Sequence, residues 1–116
     1  ENPLQDWLDS CQKLIDELPS DVLVLPSHGK PFTGAHERLN GLINEHEGDM
    51  EKLKVECMTP KRAIDVFPIL FRAKIDRNNL LMATGESLAH LNCLLARGEM
   101  SVTMDDKGVN YYQTIA

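Results

Sequence analysis

Aromatic side chains are scarce in this chain: one Trp, two Tyr and three Phe stand among 116 residues. With 42% hydrophobic residues in all, it can bury one modest core, or one small domain plus elements that expect a partner. No run of about 18 apolar residues occurs, so no membrane-spanning helix is expected. No basic-then-apolar leader opens the sequence, so no secretion signal is expected either. Cysteine is sparse and odd in number. Cys11, Cys57 and Cys93 are scattered over expected helices, which fits reduced thiols in a cytoplasmic protein better than a disulfide framework. Each sits among apolar or acidic neighbours without an evident cationic activator, and so reads as a small buried hydrophobe rather than a nucleophile. A basic surface is missing as well. Residues 1–58 carry 5 Lys and Arg against 12 Asp and Glu, a net of −7, and residues 59–116 carry 7 against 6, a net of +1. Neither half has the charge of a polyanion binder.

What the sequence does contain begins with the stretch Leu25-Pro26-Ser27-His28-Gly29-Lys30-Pro31-Phe32. The apolar, β-branched run Asp21–Leu25 predicts a buried strand, and Pro26 stops its ladder by removing a donor. Gly29 frees the adjoining turn, because a residue without a side chain adopts positive φ readily. A lone histidine held this way is presented as a metal ligand is presented, although a loop histidine that merely caps or solvates a turn has the same local sequence.

Two amphipathic helices flank this loop. The first opens with Asn2 as N-cap and Pro3 at its first position, and it aligns Leu4, Trp7, Leu8, Cys11, Leu14, Ile15 and Leu18 in one stripe. The second is expected from about Gly34 to Cys57. Gly41 and Gly48 within it predict a bend or a close helix contact. His46, between two glutamates, reads as a surface or boundary residue.

Organisation changes near Met58. Thr59-Pro60 predicts a helix start, and Pro68 should divide this region into a short helix to about Val66 and a second turn. Asp76 or Asn78 is placed to cap a helix running down to Arg97-Gly98, on which His90, one turn after Glu86, reads as half of an ion pair or a satisfied boundary histidine. Met100, Val102 and Met104 then alternate into the turn Asp105–Gly108, and Val109, Tyr111, Gln113 and Ile115 alternate back. Three helical segments and a hairpin make a winged helix. Many such domains read DNA through the last helix and wing, but here that helix carries only Arg77 and Arg97, at its ends, and Asp105 and Asp106 flank Lys107. A protein-packing or substrate-rim role fits those charges better than a nucleic-acid role.

The run His28–Leu39, the long helix after it, the block Ala63–Phe71 and the Asn2-Pro3-Leu4 opening together resemble the C-terminal third of metallo-β-lactamase-superfamily hydrolases with an appended winged-helix domain. The resemblance implies an α+β, mostly helical chain in two parts. Residues 1–58 would be the terminal strand and helix portion of the metallo-β-lactamase-like domain, and residues 59–116 the winged helix. It further implies that His28 binds the second metal of a dinuclear site and that His36 lines the mouth of that site. Zinc is the first expectation, with iron or manganese as alternatives. The family's His-x-His-x-Asp-His cluster, its middle histidine and its bridging aspartate are not in this sequence. A catalytic zinc needs about three protein ligands, so no catalytic residue is assigned here, and the chain alone is expected to be inactive and to hold no metal. The partners implied are an upstream metallo-β-lactamase core and the parent's small-molecule substrate. With the sandwich partner of the first helix absent, that helix's stripe also predicts a homodimer. The alternative is a winged-helix module that binds DNA or protein without enzymatic activity.

Overall fold

A computed structural model describes all of residues 1–116. Helix α1 spans Pro3–Glu17 and α2 spans Ala35–Glu56. A 3-10 turn, Ala63–Val66, runs into the short α3, Phe67–Leu70; α4, Leu80–Ala96, precedes a hairpin of β1, Met100–Met104, and β2, Asn110–Thr114.

Local chemistry sets most of these boundaries. Asn2 Oδ1 accepts the Gln5 amide at 3.2 Å, satisfying a donor that the first turn of α1 leaves free. At the other end of the chain, Gly98 at φ 76° closes α4: its amide donates to the Leu95 carbonyl and that of Glu99 to the Leu94 carbonyl, both at 3.0 Å. In the hairpin turn, Asp105 Oδ1 accepts the amides of Lys107 and Val109 at 2.8 and 2.9 Å.

The core is shared by all the helices and the base of the hairpin. Leu4 and Leu8 of α1, Met50 and Leu53 of α2, and Leu91 and Leu94 of α4 are buried together, with Met100 and Tyr112 beneath them. Burying a leucine contributes about 1.5–3 kcal/mol, so the stripe on α1 is satisfied inside the chain over its first turns. This corrects the expectation that only an absent sandwich or a second copy could cover it. Trp7 and Leu14 stay partly exposed.

Other expectations also need correction. Asp21–Leu25 forms no strand; Val24 makes an isolated antiparallel bridge with Phe32, and no further segment offers a ladder. Thr59-Pro60 starts no helix, because the Lys61 amide and carbonyl are both bonded to Tyr112, at 2.9 and 2.7 Å, as a one-residue third strand beside β2. The helical turn begins instead at Ala63, where the Asp65 carboxylate accepts the Arg62 amide at 2.9 Å and pairs with its guanidinium. Asn79, rather than Asp76 or Asn78, occupies the N-cap position of α4. Gly41 and Gly48 lie within α2, and a Cβ at either would meet nothing within 4 Å, so neither marks a close helix contact. In the hairpin, Tyr112 stands opposite Val102 and is buried, whereas Tyr111 is only partly so, so Tyr112 rather than Tyr111 faces the core.

Candidate functional site

The segment between α1 and α2 leaves the core as an arm. Its neck is closed by two hydrogen bonds, Val24 amide to Phe32 carbonyl at 2.8 Å and Phe32 amide to Val24 carbonyl at 3.1 Å. His28 is exposed at the tip, beside Gly29 at φ 97°, a left-handed conformation that residues with a Cβ resist. The neck carries side chains unsuited to water: Leu23 is 59% and Leu25 74% exposed.

His36 sits at the other end of the arm, in the first turn of α2. Its Nε2 lies 2.7 Å from the Leu18 carbonyl, and since a carbonyl only accepts, Nε2 carries the proton. The ring thereby ties the start of α2 to the end of α1, an anchoring role that sequence reasoning missed. His28 and His36 do not join a common cluster of metal donors.

Such a cluster exists elsewhere. His46, Asp49 and His90 place their donor atoms within 4.8 Å of one another, between α2 and α4. His46 Nδ1 and His90 Nε2 are 3.2 Å apart. His90 is 3% exposed, and its Nδ1 donates to the Glu86 carbonyl one turn earlier at 2.7 Å, so the expected ion pair with the Glu86 carboxylate is replaced by a bond to that residue's backbone. The Trp7 ring meets His46 edge-on with centroids 4.8 Å apart. One sequence signal for this group was available: His46 and Asp49 are three apart on a helix and so share a face. Its third member, on α4, required the tertiary fold.

Beside the cluster, Arg97 at the end of α4 grips Glu47 with two bonds, Nη1 to Oε2 at 2.9 Å and Nη2 to Oε1 at 2.7 Å, and also donates to Gln5 Oε1 on α1. The guanidinium holds the Glu47 carboxyl below its usual range. The three cysteines are buried, and burial pushes all three thiols up, away from thiolate chemistry.

Comparison with known proteins adds context to these geometries. The family profile for the metallo-β-lactamase-like, C-terminal domain matches residues 50–115. A β-lactamase domain protein from Burkholderia ambifaria superposes with a TM-score of 0.92 at 38% identity, over 99% of this chain and 34% of its own. A metallo-β-lactamase family protein from Thermus thermophilus superposes with a TM-score of 0.81 at 26% identity, again over 99% and 34% of the respective chains. The chain thus spans about a third of the length of these relatives. No curated protein matches it significantly.

Proposed function

The chain belongs to the metallo-β-lactamase-like family through its C-terminal domain, and from this premise we propose that it is the C-terminal portion of a metal-dependent hydrolase to which His28 contributes one metal ligand. The observation that carries the reading is the arm. Leu23 and Leu25 are exposed on a segment with one bridge of its own, and an apolar, strand-like segment without a ladder fits one that completes a sheet supplied by an upstream core.

For the site that His28 would join, the residues at hand supply only an incomplete set of donors. His28 offers one unshielded imidazole, and the remaining donors belong to the upstream core. A divalent metal, zinc first and iron or manganese as alternatives, would lower the pKa of a water toward about 7 for attack on a small-molecule ester, thioester, lactone or phosphodiester. The chain's own residues hold that imidazole in place: Gly29 turns it outward, the Val24–Phe32 bridge closes the neck, and the His36–Leu18 bond fixes the base. His36, at that base, is read as a rim residue of the substrate entrance through its backbone-anchored position. The buried, protonated thiols suit a cytoplasmic protein.

Residues 59–116 are read as a winged helix, supported by the order of one-residue strand at Lys61, short helical segments, α4 and hairpin. Its role here is protein contact rather than DNA reading. The N-terminal turns of α4 expose Leu80, Leu81 and Met82, Leu81 by 87%, where a groove-reading helix would offer Arg and Lys.

The test is His28→Ala in the intact protein. Hydrolysis should fall by at least about a hundredfold, while the melting temperature stays within about 2 °C, because an exposed loop side chain contributes little to stability. Retained hydrolysis would remove His28 from the metal set.

A further inference from the structure

We propose that His46, Asp49 and His90 form a metal site of their own, a two-imidazole, one-carboxylate centre for Zn2+ or a neighbouring first-row divalent cation, separate from any site that His28 completes. Two nitrogens bound to one tetrahedral zinc at about 2.0–2.1 Å stand about 3.3 Å apart. His46 Nδ1 and His90 Nε2 are already 3.2 Å apart. Asp49, one turn beyond His46 and only partly buried, brings a carboxylate oxygen within 4.8 Å of both nitrogens, and a rotation of that short side chain covers the remaining gap.

The tautomer is set for ligation. Nδ1 of His90 donates to the Glu86 carbonyl, which leaves Nε2 bare in the neutral ring and aimed at His46. An outer partner that fixes the ring and directs the free nitrogen inward is the support that metal-bound histidines ordinarily have. Trp7 buttresses His46 from the other side. A recess of about 340 Å3, lined by Pro3, Trp7, His46 and Glu86 among others, opens on the Trp7 side of the ring. Mixed nitrogen and oxygen donors favour zinc-like cations over calcium or magnesium, which take oxygen ligands. The rival arrangement is a plain hydrogen bond, His46 Nδ1–H to His90 Nε2. That arrangement explains the pair without giving Asp49 a part.

The experiment titrates Zn2+ calorimetrically into the chelator-stripped 116-residue chain and records the visible spectrum of the Co2+ form. One ion per chain, a raised melting temperature in its presence and a Co2+ spectrum free of thiolate charge transfer are expected. His46→Gln should weaken uptake about tenfold or more and Asp49→Asn severalfold, while His28→Ala leaves it unchanged. Asp49→Asn is partly exposed and preserves shape, so it reports even if His46→Gln loosens the packing under Trp7. No saturable uptake, uptake indifferent to both cluster variants, a thiolate band, or loss of uptake in His28→Ala overturns the proposal. Failure here leaves the His28 reading standing, because that reading is tested by hydrolysis in the intact protein.

Discussion

One guanidinium, that of Arg97, joins α1, α2 and α4 through Gln5 and Glu47. The fork geometry of arginine matches both carboxylate oxygens, which an ammonium cannot do. Arg97→Lys is therefore expected to lower stability by about 1 kcal/mol, modest because both side chains are partly solvated, as urea denaturation would show. The pH dependence arises from the same contact. Glu47 is held below its ordinary 4.5 by the Arg97 hydrogen bonds, so its contribution is fully present above pH 4.5 and is lost as pH falls through the lowered native value. Acid titration of stability should show a shallower decline below pH 4.5 in Arg97→Lys than in the parent chain. Such pairings were invisible in sequence: Gln5, Glu47 and Arg97 are 42 and 50 positions apart, and only the helix crossing unites them. His46 sits half-buried at a boundary, as its sequence context allowed, and His90 is satisfied by the Glu86 backbone; what the sequence could not show is that α2 and α4 bring the two rings together.

At the scale of elements, the helices were legible because their ends carry their own signals. Asn2-Pro3 starts α1, and Gly98 stops α4 by the left-handed turn that glycine tolerates. The segment Asp21–Leu25 was misread as a strand, because its β-branched composition reports how such a segment sits once paired, and pairing depends on partners that composition does not reveal. The close helix contact expected at the glycines of α2 is likewise absent. Gly41 is exposed, has ordinary helical φ, and has open space where a Cβ would go. Gly41→Ala should stabilise the chain by about 0.5–1 kcal/mol by restricting the unfolded state and removing a poor helix former, read as a higher denaturation midpoint with an unchanged slope. A loss of stability instead would mean that the position contacts something in solution.

The whole molecule is elongated. Its radius of gyration is 16.5 Å, against about 13 Å for a compact chain of this length, and its extents are 54 × 33 × 23 Å. The apolar arm, where Leu23 and Leu25 are exposed, is one surface that needs cover while the first turns of α1 do not, and we place the association expected from the sequence there. In sedimentation, the isolated chain should associate with increasing concentration, and the double variant Leu23→Glu, Leu25→Glu should stay monomeric, whereas Trp7→Glu should not change the behaviour of the parent. Association that persists in the arm variant would place the contact elsewhere.

Helix α2 also has a mechanical meaning. At 22 residues it is a rod about 33 Å long, at 1.5 Å per residue, with the His28 arm at one end and the hairpin clamped to the other, where Thr114 Oγ1 donates to the Lys54 carbonyl at 2.6 Å and its amide to the Cys57 carbonyl at 2.8 Å. A tilt of about 5° at the clamped end swings the far end by about 3 Å, more than the length of a metal–nitrogen bond of about 2 Å. In the role proposed for His28, alignment of its imidazole would be a property of the entire rod. A substitution that loosens Thr114 belongs, in leverage if not in distance, to the histidine's own surroundings.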